Sequence, residues 1–286
     1  LFVQNVTALL YGRPDSEDWE HYDCGRRGTC PRLLLKRFAL RFLFQQSGAR
    51  VLCLVDILRH PLNIDPAAVL PSDSTLDYRL RSGKLSPLMD RLLALTVAHL
   101  EETTISIDST GFQDRRGEAK SWNGGGKKHP KGWRKAHITA GTKSHRIYAI
   151  QTTPGESGDA PEANPLLSIS RENSASLREI VGDTAYASRT ILTHAESIGL
   201  RPTMKLRSDA TLKSHGHPAW PRMVRRSQDD PANFASIYHQ RSNIESTNSS
   251  WKHRVGGRLW MRHPVAQDGE LRCKAILHHP GCPDPI

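Results

Sequence analysis

The 286-residue chain has no run of about 18 apolar residues, the length a helix needs to cross a bilayer, so no membrane span is expected. Its most apolar region, residues 33–58, is interrupted by Lys36, Arg37, Arg41, Gln45, Gln46 and Arg50. No signal-peptide pattern is visible. The chain begins with Leu1 rather than Met, which suggests a fragment or a processed form. Cysteine is sparse and odd in number: Cys24, Cys30, Cys53, Cys273 and Cys282. An odd set without a secretory signal argues for a reducing, cytoplasmic compartment. Cys24 and Cys30 are too far apart for a zinc knuckle, and no second Cys/His pair has matching spacing, so all five read as free thiols. The fourteen histidines include no His-x3-His pair on one helix, and no zinc is assigned.

Positive charge is what the chain has in excess. The net charge is +11 and the pI about 9.7, and a polyanion is the usual partner for such an excess, nucleic acid first among them. The charge is spread over the chain, with clusters at 127–131 and 222–226, so several contact patches on a folded body are expected. Of six tryptophans most belong in cores or interfaces. Trp122, in a Gly- and Lys-rich stretch, is the best candidate for stacking on a base.

In chain order, residues 1–32 are irregular and polar. Apolar spacing predicts a helix over 31–60 and an amphipathic helix over 85–100, and the stretch 71–81 looks like a capped helix start followed by a basic face. This N-terminal helical module is either a DNA-binding element or a layer bracing the core. From Thr103 the pattern becomes alternating and β-branched: a strand ending at Asp108, then strands over 133–140 and 146–153 joined near Gly141. A helix over 163–171, a short strand over 177–181, a helix over 188–198 and a strand over 203–206 follow. Residues 208–226 read as irregular and basic, 231–253 as one helix after Asp229-Asp230-Pro231, and 265–278 as a final helix. Hairpin strands followed by βα units imply a mixed five-stranded α/β sheet flanked by helices, in the ribonuclease-H-like order. The expected domains are 1–100, helical, and 101–286, catalytic.

In that order the first and fourth strands are neighbours, so Asp108 and Asp183 meet at the carboxyl edge where such sheets place ligands. Each alone reads more simply as a turn or cap residue. The helix over 231–253 adds a third acid. At about 100° per residue, Arg241, Glu245 and Lys252 lie at roughly −60°, −20° and −40° from Tyr238, forming one stripe. The plainer reading of that stripe is a solvated face with an Arg241–Glu245 pair. With the two aspartates, it supplies a third carboxylate flanked by cations. Three carboxylates can hold two Mg²⁺ ions about 3.5–4 Å apart for in-line displacement at phosphorus. Asp108 then bridges, Asp183 completes one metal site and Glu245 the other. Arg241, Lys252 and Tyr238 would bind phosphate oxygens. Lys135 and His137 alternate on the second strand and face the carboxylates or DNA, or else are a plain exposed strand face. Lys205 ends the last strand at the same edge, and Arg254 and Arg258 extend the basic stripe.

Ile107-Asp108-Ser109-Thr110-Gly111, Gly182-Asp183-Thr184-Ala185-Tyr186 and Tyr238-x2-Arg241-x3-Glu245-x6-Lys252 resemble the catalytic segments of the DDE transposases of bacterial and archaeal insertion sequences. The similarity runs from about Pro71 to residue 279. It takes in Lys135-Ala136-His137, Gly158-Asp159-Ala160-Pro161 and Val265-Ala266-Gln267 through Lys274. It implies a ribonuclease-H-like fold, strand cleavage at the element's ends and attack by the freed 3′-hydroxyl on target DNA. Asp108, Asp183 and Glu245 would be the metal ligands, with Mn²⁺ able to replace Mg²⁺. The implied partners are double-stranded terminal repeats and target DNA, met by a homodimer. Two positions depart from the pattern: Gly269 stands where Asn is usual, and Trp260 where Arg is frequent. The spacing from Asp183 to Glu245 leaves no room for the strand-rich insertion of some relatives. A DNA-binding transposase remnant without catalysis, or a two-metal DNA nuclease, is the alternative reading.

Overall fold

A computed structural model describes residues 31–44, 46, 48–60, 64–67, 69–114 and 132–278. Trp122, Cys24, Cys30, Cys282 and the basic cluster at 127–131 lie outside the described residues. Among the described residues, no helix is long and apolar enough to cross a membrane. The chain divides into two compact units, 97–250 and 1–96 with 251–286. The sequence reading placed all of 101–286 in one domain. By compactness the chain divides at 96/97 and again at 250/251.

The unit 97–250 is built on a five-stranded sheet. β1 (Thr104–Gln113) is central, β2 (Trp133–Gly141) and β3 (Ile147–Pro154) lie on one side, and β4 (Glu179–Gly182) and β5 (Arg201–Met204) on the other, in the order β3-β2-β1-β4-β5. β1 pairs antiparallel with β2 along its whole length, from Ile105↔Gly141 to Gln113↔Trp133. It pairs parallel with β4 only from Thr104↔Glu179 to Ser106↔Val181. β4 and β5 are also parallel. This is the expected ribonuclease-H-like mixed sheet. β1 is longer than its sequence suggested. It runs through Asp108 to Gln113, because β2 continues to offer hydrogen bonds after β4 has ended.

The parallel crossovers are helices, as parallel strands require. They are α5 (Ala160–Asn173) between β3 and β4 and α6 (Arg189–Ser197) between β4 and β5. Ile105 and Ile107 of β1 join Ala163, Leu166 and Leu167 of α5 and Ile191 and Leu192 of α6 in the main core of this unit. Residues 219–229, read from sequence as irregular, form a helix, α7 (Ala219–Asp229). Its Ala219, Trp220, Met223 and Val224 are buried in the same core. Arg222, Arg225 and Arg226 obscured that short apolar stripe. The single helix expected over 231–253 is two: α8 (Pro231–His239), then a 3-10 turn (Gln240–Ser242), then α9 (Asn243–Val255).

In the other unit, the helix expected over 31–60 is α1 (Pro31–Leu43) followed by α2 (Gly48–Ile57). α3 (Asp73–Arg81) starts at Ser72, whose hydroxyl accepts from the Thr75 amide. α4 is Ser86–Val97 and the last helix, α10, is Pro264–His278. Gly269 belongs to packing: a Cβ there would lie 3.1 Å from Leu80 Cδ2, so the larger residue usual at this place would press on α3. Cys53 is exposed and Cys273 buried, both as free thiols.

Glu270 and Lys274, one turn apart on α10 and both fully buried, are 3.0 Å apart. Glu270 accepts from the amides of Trp260 (3.0 and 2.9 Å) and Met261 (2.9 Å), while Lys274 Nζ donates to the carbonyls of Arg258 (2.7 Å) and Gly256 (3.2 Å). The pair thus satisfies the backbone of the loop after α9. Removing one partner leaves the other charge buried alone, which costs about 3–5 kcal/mol. We expect Glu270→Ala to lower unfolding free energy by about that amount in urea denaturation, whereas an exposed substitution such as Val69→Ala, at a side chain 88% exposed, stays within about 0.5 kcal/mol.

Candidate active site

The site forms at the place on β1 where pairing with β4 stops. Asp108 follows that point by two residues and Asp183 follows the end of β4, so continuing the parallel register brings the two acids abreast. Gly182 allows the close approach: a Cβ there would lie 2.9 Å from Ile107 Cγ2 and 2.8 Å from Met204 Sδ. Asp183 begins a 3-10 turn (Thr184–Tyr186), its Oδ1 accepting from the Ala185 amide at 2.9 Å. Tyr186, the last residue of that turn, is buried. Its phenol is pushed far up by desolvation and by the charges of Asp159, Asp108 and Asp183, with the Ser109 side chain working the other way. It stays a neutral floor to the site.

Glu245 stands in the first turn of α9. The 3-10 turn before it packs on β1 and β4. The turn between β2 and β3 then fixes the helix. Asn243 Nδ2 donates to the Thr142 carbonyl at 2.7 Å, Thr142 Oγ1 donates to Gln240 Oε1 at 2.9 Å, and His145 Nδ1 lies 3.0 Å from Thr247 Oγ1. Asn248 Nδ2 donates to Asp108 Oδ2 at 3.1 Å, tying α9 directly to the central strand.

Desolvation raises the Asp108 carboxyl to about 6, against lowering effects from the Ser109 amide and the Arg241 charge and with Asp183 and Asp159 raising it further. Arg241 is the cation among these acids. Burial works against its charge, but Asp108, Glu245 and Asp183 together hold its pKa above the ordinary value. Its Nη1 donates to Glu245 Oε1, so the ion pair of the plainer reading exists and lies beside the two aspartates. The Glu245 side chain is 62% exposed. Among the described residues, no three His, Cys, Asp or Glu side chains are gathered closely enough to hold a metal ion. The donor set still suits one. It is all carboxylate oxygen, the choice of hard divalent cations, and the partly desolvated Asp108 lacks full compensation by Arg241 alone.

The other candidates separate. Lys135 and His137 are buried and turned to Asp159: Lys135 Nζ donates to Asp159 Oδ1 at 3.0 Å and to the Ser157 carbonyl at 2.7 Å, and His137 Nδ1 lies 3.4 Å from Asp159 Oδ1. Burial lowers the His137 pKa to about 4, so the ring is neutral, with Nε2 2.7 Å from Thr153 Oγ1. The carboxylate they meet is Asp159, which is outside the Asp108, Asp183 and Glu245 set that the sequence reading offered them, and both side chains expected to contact DNA are buried. Tyr238 is half-buried on α8. Lys205 is exposed just past β5, its amide donating to the Gly182 carbonyl at 3.1 Å. Lys252, Arg254 and Arg258 belong to the other unit. There Arg254 and Arg258 are exposed, and Arg254 Nη1 donates to the His278 carbonyl at 2.6 Å. Two site residues carried no role in the sequence reading. Asp159 looked like a turn residue. Asn248 was visible only as an amide where the Ile244, Thr247 spacing of α9 calls for a buried residue.

The family described as Transposase DDE domain matches residues 99–274, more than half of the chain, and spans all three acids. No curated protein matches. Among solved structures, the chain is similar to a piggyBac transposase synaptic complex with hairpin DNA (11% identity, 96% of this chain and 70% of that one, TM-score 0.44). It is also similar to a Drosophila P element transposase strand transfer complex (13%, 94% and 84%, TM-score 0.34). A third is a Mos1 transposase paired-end complex with left transposon end (12%, 74% and 79%, TM-score 0.27). Likeness at this level says nothing of activity. The sheet order, the acids at its carboxyl edge and the extent of the match place the chain in the Transposase DDE domain family.

Proposed function

We propose that the chain is a divalent-metal-dependent DNA transposase of the insertion-sequence type, cutting at the element's ends and joining the freed 3′-hydroxyl to target DNA. The observation that carries this is the Arg241 guanidinium, held in the combined field of Asp108, Glu245 and Asp183 at the edge where β4 ends. A site with that charge pattern suits a cation and a phosphate together. Asp108, Asp183 and Glu245 would hold Mg²⁺, or Mn²⁺ in its place, in a two-ion arrangement. When bound, such ions sharpen the attacking oxygen and neutralise charge on the leaving one. Arg241, carried by the 3-10 turn, is positioned to bind a phosphate oxygen with the guanidinium face not used by Glu245. Tyr186, kept protonated, adds no negative charge near the phosphate. Lys205, Tyr238, Lys252, Arg254 and Arg258 would hold the DNA backbone, which fixes register without reading sequence. Lys135 and His137 support the site through Asp159, which bears on both Asp108 and Tyr186. The active species would be a homodimer on DNA.

The test is strand cleavage of DNA that carries the sequence flanking the gene, searched for inverted repeats at its two ends. Purified chain with Mg²⁺ should nick at the repeat ends, and Asp108→Ala should cut about 10³-fold more slowly, the scale lost with an electrostatic stabiliser of the transition state. Cleavage by Asp108→Ala at the wild-type rate would sink the carboxylate mechanism. A gel shift without metal-dependent cutting would favour the non-catalytic remnant, and hydrolysis without strand transfer the nuclease. DNA affinity should fall steeply with salt, and Lys205→Ala should reduce the slope of log K against log salt by about 1.

The raised Asp108 pKa makes a second prediction, for the protein without metal. The folded state holds the Asp108 proton up to about pH 6, well above the ordinary carboxyl range, so the group's contribution to stability is lost as pH rises through that value. Asp108→Asn removes the desolvated charge. In urea denaturation with chelator the variant should be more stable than wild type at pH 7.5 by about 2–3 kcal/mol, and the difference should vanish as pH falls from 6 toward 4.

A further inference from the structure

Asn248 is the site residue that no part of this scheme uses. It lies one turn past Glu245 on α9 and is 9% exposed, on the buried side with Ile244 and Thr247. An amide buried there gives up water at both its donor and its acceptor, and a Leu would fill the same space without that loss. Only the donor is repaid by a partner. Nδ2 donates to Asp108 Oδ2 at 3.1 Å, while Oδ1 is buried without a hydrogen-bond partner. An ionised carboxylate only accepts, so it fixes which way round the amide stands. The remaining Oδ1 is an acceptor in a part-buried site, with nothing in the protein to fill it.

We propose that Asn248 is a positioning residue for Asp108. Its N–H fixes the carboxylate through Oδ2, so that Asp108 would meet a divalent ion in one orientation, and its own Oδ1 is kept as a spare hydrogen-bond acceptor at the site. Groups that hydrogen-bond to a metal-ligating side chain orient it, and losing them costs about 10–100-fold in metal affinity or activity. Through Asn248 the helix bearing Glu245 also sets the direction of Asp108, so two of the three acids are aligned by one side chain. This inference rests on the carboxylate reading of the site given above.

The test is thermal denaturation of the whole chain, without DNA, titrated with Mn²⁺ alone, with Asp108→Ala as the blank for binding elsewhere. Wild type should gain Tm with Mn²⁺ and Asp108→Ala should not. Asn248→Leu, which keeps the volume and drops the unpaired acceptor, should have an unchanged or higher metal-free Tm. Its half-effect Mn²⁺ concentration should rise by about 10–100-fold. Asn248→Ala, which fits in less space, should show the same rise whatever its Tm. A lower metal-free Tm with an unchanged half-effect concentration in both variants would mean a structural role and overturn the proposal. Failure of wild type itself to respond to Mn²⁺ would overturn the carboxylate reading and this proposal together.

Discussion

The site depends on one electrostatic constraint: a carboxylate on a central strand, partly withdrawn from water, has to be compensated by what surrounds it. Asp108 is placed on β1 just beyond the last residue paired with β4, where the strand is still held by β2 and open on its other side. Desolvation there outweighs the Ser109 amide and the Arg241 charge, and the carboxyl stays near 6. Around it the protein places one guanidinium, one amide and two further acids. That arrangement is poorly balanced for a protein alone. It suits a group built to meet a cation.

Holding α9 in register is the second requirement, and the hairpin turn between β2 and β3 meets it. Asn243, Gln240 and Thr247 are each engaged by Thr142 or His145. His145 takes a left-handed conformation (φ 54°) to close that turn, which costs a non-glycine residue some strain. Because the turn joins two strands of the sheet, α9 is referenced to the same scaffold as Asp108 and Asp183. Site geometry is then set by backbone ladders and a few polar contacts, so a distant residue such as Thr142 influences where Glu245 stands.

Much of this was legible in the residues. Alternating Ile105 and Ile107 marked a strand, the order of elements marked the sheet, Asp108 and Asp183 stood out as candidates because they follow two strands, and Glu245 because it shares a helical stripe with Tyr238, Arg241 and Lys252. Lys135 and His137 were legible as candidates but not in direction. A strand alternation cannot say whether a face meets solvent or α5, and it is Asp159 at the start of α5 that claims both side chains. α7 was missed because only Ala219, Trp220, Met223 and Val224 are apolar among several arginines. The break at Gln240–Ser242 was missed because helical periodicity persists through a single 3-10 turn.

The sequence by itself determined the fold class and the basic character and marked three acids as candidates, since these follow from periodicity, residue type and net charge, all of them local or additive. Only the tertiary structure decided how those acids are treated. Pairing of β1 beyond β4 governs how far Asp108 is desolvated, the 3-10 turn aims Arg241, and the approach of α9 brings Asn248 onto Asp108 across 140 residues of sequence. Desolvation and hydrogen bonding are properties of neighbours in space, and no spacing along the chain encodes them.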